Sequence, residues 1–118
     1  MKLEELLKKI NESPLTVAFN EVMDTISEYY HYTPTQFTNG EDGDIVINEA
    51  GSNEGSCKLF AFAKDQSLSK EQTLSCFGTY YREDVLEHPN GSDHTNIRTF
   101  IKYGWDGISF DQSPLLKK

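Results

Sequence analysis

Three residues have the types that could form a thiol-dependent catalytic site: Cys57, His94 and Asp93. In such a site the imidazole deprotonates the thiol, and a carboxylate orients the imidazole. Asp93 and His94 are neighbours whose side chains diverge on a helix, so a different acid or Asn would have to orient the ring. The competing interpretation is a buried structural Cys57 and an Asp93 that begins a helix, where the helix dipole favours negative charge. The spacing favours this structural interpretation.

The side chains that could hold a metal ion do not follow a known metal-binding spacing. No His-Glu-x-x-His or paired Cys-x-x-Cys pattern occurs, and the acidic loop fails the calcium template. Counted from Asp42, Ile47 takes the position that requires glycine, and Asn53 takes the position of the bidentate glutamate. The sequence therefore assigns no metal and no cofactor, although donors occur at Glu83, Asp84, Glu87, His88, Asp93 and His94.

Polar residues from distant parts of the chain could line one cleft if the acidic loop folds over the last helix. A few convergent polar groups beside aromatic surface are typical of a ligand site. The candidate binding residues are Asn48, Glu49, Asn53, Lys58, Asn96, Arg98 and Trp105. Gly51 and Gly55 resemble a phosphate-binding loop, but Glu49 and Glu54 would repel an anion, so turn formation explains these glycines better.

The charge balance restricts the class of partner. Nineteen acids against eleven bases give 118 residues a net charge of −8, which disfavours nucleic acid and anionic membrane. Between Ile10 and Cys57 there are nine acids and no Lys or Arg. An acidic surface of this kind complements a basic protein surface. The sequence therefore predicts a protein partner, and it assigns no oligomeric state.

Two cysteines, Cys57 and Cys76, are too few for a disulfide scaffold, so a reduced cytosolic compartment is expected. The first ten residues alternate charges with leucines, unlike a secretory signal peptide. With 36% apolar residues the chain can form a core, and its length predicts a single domain over residues 1–118.

Apolar residues recur at helical spacing in five segments, and these must position the candidate groups. The segments are about 3–10, 14–32, 56–65, 69–85 and 93–103. A small hairpin pairing 36–38 with 44–47, or an extended loop, is expected between the second and third helices. The predicted fold is a mainly α, single compact domain of about five helices, with a flexible tail at 111–118.

Several segments resemble the signatures of the HopJ family. They include Gly55–Ala63 (GSCKLFAFA), Phe77–Tyr81 (FGTYY) and Gly91–Arg98 (GSDHTNIR), and the resemblance covers about 13–110. The family is named after a protein delivered by type III secretion of plant pathogens, and it also occurs in free-living bacteria. The resemblance thus implies a protein of the bacterial cytoplasm or one secreted by a type III system into a host cell. It implies no activity, cofactor or active site.

Two hypotheses for function follow. The first is a non-enzymatic, effector-like interaction protein whose acidic region, 41–54, meets a basic protein surface. The second is a small enzyme or ligand-binding protein with a cleft around Cys57 and His94. Salt-sensitive binding would distinguish the first from the second.

Overall fold

The computed structural model describes residues 1–118 as a layered arrangement of helices and short strands. The α-helices are α1 Leu3–Glu12, α2 Phe19–Tyr29, α3 Glu54–Asp65, α4 Lys70–Ser75 and α5 Thr95–Tyr103. A π-helix covers Tyr80–Val85. The strands are β1 Tyr30–Tyr32, β2 Phe37–Asn39, β3 Val46–Asn48, β4 Ser109–Phe110 and β5 Leu115–Lys117. No helix has the length and apolar character needed to cross a membrane.

Two antiparallel sheets make this an α+β fold, so the prediction of a mainly α domain of about five helices is wrong. One sheet has the order β3-β2-β4, and the other pairs β1 with β5. With two or three residues each, the strands are too short to show the alternation of apolar and polar residues that identifies a strand. The partners in the β1–β5 and β2–β4 pairs also lie far apart in the chain, where local pattern carries no information.

The hairpin between α2 and α3 supplies part of the lining of a cleft. β2 pairs with β3 so that Phe37 faces Asn48 and Asn39 faces Val46. This register lies one to two residues beyond the expected pairing of 36–38 with 44–47. On its other edge β2 pairs with β4, which the sequence did not predict.

The last residues of the chain pair with the strand that directly follows α2. Residues 111–118, expected to form a flexible tail, contain β5, which runs antiparallel to β1 with Leu116 opposite His31. The Lys118 backbone N–H also donates to the Tyr29 carbonyl at 3.0 Å. The C-terminal segment is therefore hydrogen-bonded to the domain.

Several helix starts differ from the sequence expectation. Ser13 precedes a 3-10 turn at Pro14–Thr16, and α2 begins only at Phe19. There the Glu21 carboxylate accepts a hydrogen bond from the Ala18 N–H at 3.0 Å, which satisfies a donor that the helix leaves free. The helices α3 and α5 each follow a residue in the left-handed conformation, Asn53 and His94.

The core is centred on α3, whose Phe60 is completely buried. Its ring lies 4.9 Å from that of Phe100, 5.5 Å from Phe77 and 6.0 Å from Phe37, measured between ring centroids. These edge and tilted contacts are the arrangements that aromatic quadrupoles favour. Phe60 thus joins α3 to α5, to the end of α4 and to the hairpin.

Gly78 ends the expected fourth helix and separates α4 from the π-helix. It has φ +62, and a Cβ atom at this position would lie 2.9 Å from the Phe19 backbone nitrogen. Glycine is required here for two reasons, since a side chain would be strained in this conformation and would also collide with the start of α2.

We therefore expect Gly78→Ala to lower the free energy of unfolding by about 2–4 kcal/mol, through backbone strain and overpacking together. Urea unfolding followed by circular dichroism measures the change. The control is Gly43→Ala, because a Cβ at Gly43 has nothing within 4 Å and its φ is ordinary. Equal effects of the two substitutions would contradict this explanation.

Candidate functional site

A cleft of about 550 Å³ lies where the hairpin, the start of α3, the π-helix and the start of α5 meet. Its lining comes from five parts of the chain, with Ile47 and Asn48 from β3, Asn96 from α5 and Phe19 from the start of α2. Further lining residues are Phe19, Asn53, Gly55, Ser56, Phe77, Tyr80 and His94. The cleft combines aromatic walls with amide and imidazole groups, which suits recognition of a partly polar ligand.

A reciprocal pair of amide hydrogen bonds forms the floor of the cleft. Asn96 Nδ2 donates to Asn48 Oδ1 at 2.8 Å, and Asn48 Nδ2 donates to Asn96 Oδ1 at 3.1 Å. Asn53 Nδ2 adds a third bond to Asn48 Oδ1, at 2.7 Å. Asn48 is 1% exposed and Asn96 7%, so these groups depend on one another for hydrogen bonding. The pair fixes the hairpin against α5.

Asn39 extends the same network on the far side of the hairpin. Its Nδ2 atom donates to the Asn96 carbonyl at 2.9 Å and to Asn96 Oδ1 at 3.1 Å. Asn39 is completely buried, and it was not among the candidate residues predicted from the sequence. No local signal marks a residue whose partner lies 57 positions away.

His94 lies at one side of the cleft and forms an imidazole–carboxylate pair with Asp84. The distance from His94 Nε2 to Asp84 Oδ2 is 2.9 Å, and that from Nε2 to Asp93 Oδ2 is 3.9 Å. The His94 ring packs on Tyr80 with 5.2 Å between ring centroids. The ring therefore has an acid at one nitrogen and an aromatic face against its plane, which fix its orientation.

Arg98 fastens the loop that carries this pair. Its Nη2 donates to Asp93 Oδ1 at 2.6 Å and its Nε to the Asp93 carbonyl at 2.6 Å. Its Nη1 donates to the His88 carbonyl at 2.9 Å. The guanidinium holds the pKa of Asp93 below its usual range. Arg98 therefore stabilises the loop and has few donors left for a ligand.

The candidate residues predicted from the sequence divide into two groups. Asn48, Asn53, Asn96 and His94 come together at the cleft, and Asp93 and Arg98 lie beside His94. The other candidates, Glu49, Cys57, Lys58 and Trp105, do not line it.

Each side chain outside the cleft has a contact or an exposure that explains its position. Trp105 Nε1 donates to the Leu68 carbonyl at 3.1 Å. Lys58 Nζ lies 4.7 Å from the centre of the Tyr32 ring. The Glu49 side chain is exposed to solvent on the outside of the hairpin segment.

Cys57 is a core thiol in this structure. It is 1% exposed, and its Sγ lies 3.7 Å from the Thr35 carbonyl, to which the thiol donates. Burial raises the pKa of Cys57, and it raises that of Cys76 to about 12. An activated thiol needs the opposite shift, because the thiolate is the nucleophile. The chemistry of the cleft therefore rests on His94 and the amides.

Comparison with known proteins identifies the family to which the chain belongs. A family model described as HopJ type III effector protein matches residues 3–115, and the chain therefore belongs to this family, which confirms the resemblance noted in the sequence. Among solved structures the chain is similar to the crystal structure of the unknown function protein VPA0580. The two are 47% identical with a TM-score of 0.95, over 100% of this chain and 95% of the other. No curated protein matches the sequence.

We expect Asn96→Ala to destabilise the fold, because it removes the side-chain oxygen that accepts from Asn48 Nδ2 and Asn39 Nδ2. Asn48 Oδ1 keeps the bond from Asn53 and Asn39 Nδ2 keeps the bond to the backbone carbonyl of residue 96, whereas Asn48 Nδ2 loses its shortest bond. A buried polar group without a hydrogen bond costs about 1–3 kcal/mol, so the free energy of unfolding should fall by about 1–3 kcal/mol. Urea denaturation measures it. Asn90→Ala, at an exposed position, should change stability by less than about 0.5 kcal/mol. A comparable stability for both variants would refute the role of the amide pair.

Both cysteines should resist alkylation in the folded protein. Because burial raises both pKa values, thiolate is scarce at pH 8, and the thiols are inaccessible to reagent. Mass spectrometry after iodoacetamide treatment should show no labelling of native protein and labelling of both residues in urea. Rapid labelling of native Cys57 at neutral pH would contradict its assignment as a core thiol.

Proposed function

We propose that this HopJ-family protein is a non-enzymatic interaction protein that binds a basic segment of another protein. The binding surface is the cleft together with residues 41–54, here called the acidic segment. The acidic segment carries five acids and no Lys or Arg, and it also supplies the hairpin wall of the cleft. This coincidence of negative charge and concave shape carries the proposal, since charge complementarity selects partners and speeds their encounter.

The positive charges near the cleft are already used within the protein. Arg98 donates to the Asp93 carboxylate and to the backbone carbonyls of Asp84, His88 and Asp93. Lys102 Nζ donates to Asp44 Oδ2 at 2.6 Å, and the Tyr103 hydroxyl donates to the same carboxylate. These two contacts hold the pKa of Asp44 below its usual range. They tie the tip of the hairpin to α5 while Glu41, Asp42 and Glu49 remain exposed.

Apolar side chains on the acidic segment favour a peptide partner over a simple cation. Ile45 is 50% exposed and Ile47 is 64% exposed, although both are large and aliphatic. Exposed apolar residues beside acids are suited to a partner that alternates basic and apolar side chains. Such a segment would cover the isoleucines and place its charges beside Asp42 and Glu49.

The His94–Asp84 pair favours a second candidate, a small enzyme or ligand-binding protein. A positioned imidazole at a cleft is the usual general base, and the neighbouring amides could orient a polar substrate. This candidate uses His94 without Cys57. Binding of a neutral polar ligand would be insensitive to salt, which separates the two functions.

The family description concerns the compartment in which this protein would bind its partner. A type III effector acts inside a host cell, whereas a resident protein acts in the bacterial cytoplasm. Delivery by type III secretion is part of the proposal, because the family model is named for effectors. Both settings contain proteins with basic surface segments.

The test measures binding of a fluorescent peptide of alternating Lys and Leu by anisotropy. We expect the affinity to fall by at least about tenfold between about 0.05 and 1 M salt, because screening removes the charge attraction. The double variant Asp42→Asn, Glu49→Gln should weaken binding by a similar factor. Ile47→Ser should weaken it without changing the salt dependence.

The matched control is the double variant Glu4→Gln, Glu71→Gln. It also removes two negative charges, one on α1 and one on α4. These residues are exposed and do not line the cleft. The control should bind the peptide nearly as well as the original protein. Binding that survives molar salt, or equal losses in the two double variants, would reject the proposed surface.

A further inference from the structure

The fold assembles three metal-ligand side chains beside the cleft from two separate segments. Asp84 comes from the π-helix, and Asp93 and His94 come from the loop that precedes α5. One donor atom of each residue lies within 4.8 Å of the other two. His94 Nε2 is 2.9 Å from Asp84 Oδ2 and 3.9 Å from Asp93 Oδ2. The three donor atoms are therefore close enough together to contact a single ion.

These separations are close to those of a coordinated ion. A tetrahedral ion with bonds of about 2.0–2.1 Å holds its ligand atoms about 3.3 Å apart. The distances of 2.9 and 3.9 Å from His94 Nε2 lie on either side of this value, and all three donor atoms lie within 4.8 Å of one another, so modest side-chain movements would bring them to one ion. The partly exposed side chains, at 28% for His94 and 48% for Asp84, permit such shifts.

The surroundings of the cluster orient its donors as a metal site requires. Arg98 binds Oδ1 of Asp93, which leaves Oδ2 directed toward the imidazole. The same guanidinium donates to the Asp84 carbonyl at 3.4 Å, so one side chain holds both segments. Hydrogen bonds from outside to a ligating carboxylate are the usual support of a metal centre. The His94 ring is further held by Tyr80.

We propose that Asp84, Asp93 and His94 form a binding site for a divalent transition-metal ion of the zinc class. One imidazole nitrogen and two carboxylate oxygens suit zinc, whereas magnesium and calcium sites use oxygen ligands alone. Three protein ligands leave a fourth position for water or a ligand. Because His94 lines the cleft, that position is reached from it. This inference does not depend on the proposed binding of a basic segment.

The charges of the cluster are compatible with a dication. Two carboxylates and one guanidinium leave a net negative charge, and a bound dication would replace the contact of 2.9 Å between His94 Nε2 and Asp84 Oδ2. No sequence motif identifies the site, because residues 84 and 93 come together only through the turn between the π-helix and α5. The sequence therefore assigned no metal even though it contained all three donors.

The test uses chelator-treated protein titrated with Zn²⁺ in competition with a chromophoric chelator, and with Co²⁺ as a spectroscopic probe. We expect one ion per chain and the strong visible absorption of a four-coordinate cobalt centre. Asp84→Asn and His94→Asn should each weaken zinc binding by at least about tenfold, by loss of a charged or nitrogen ligand. Asn tolerates the left-handed conformation of residue 94, so the His94 variant should remain folded.

The matched controls are His88→Asn and Glu83→Gln, which remove an exposed imidazole and an exposed carboxylate next to the cluster. Both should bind zinc as the original protein does. Circular dichroism establishes that every variant is folded. Absence of zinc binding up to about millimolar concentration, undiminished binding by His94→Asn, or equal losses in the controls would overturn the proposal.

Discussion

The reciprocal amide pair between Asn48 and Asn96 is the constraint on which the rest of the site depends. Both side chains are buried, and each supplies the donor and the acceptor that the other needs. Any movement of the hairpin away from α5 would leave two buried amides unsatisfied, which is costly in a low-dielectric interior. The hairpin is therefore held in one position, and the cleft has a defined shape.

Because the hairpin is held in this position, the acidic segment lies beside the cleft. On an unconstrained loop, five acids would be a solvated charge run, whereas here the segment that carries them also lines the cleft through Ile47 and Asn48. Ile45 and Ile47 are exposed beside these acids. His94 also lines the cleft, and Asp84 and Asp93 lie beside it. The fold thus places negative charge beside the cleft in two regions, which suits a cationic partner and a metal ion for the same electrostatic reason.

Part of this arrangement could be predicted from the amino-acid sequence. The predicted helical segment that begins at residue 69 does start there, with the Gln72 N–H donating to the Ser69 hydroxyl at 3.1 Å. The apolar residues of α3 are buried, in agreement with the helical spacing of apolar residues over 56–65. Asn48, Asn53 and Asn96 were candidate binding residues and do meet. The strands were misjudged, because β2 gains its second partner from residues 109–110.

The sequence by itself determined the charge asymmetry and the family. It also determined those helices that are specified by capping residues and apolar residues close to one another in the chain. Such features need only neighbouring side chains, so local pattern specifies them. Only the tertiary structure decided that Cys57 is enclosed, that Asn48 meets Asn96, and that Asp84 reaches His94. Those outcomes depend on which elements pack together, with amide partners 48 positions apart. Core packing and strand pairing set such distances, and local propensity does not.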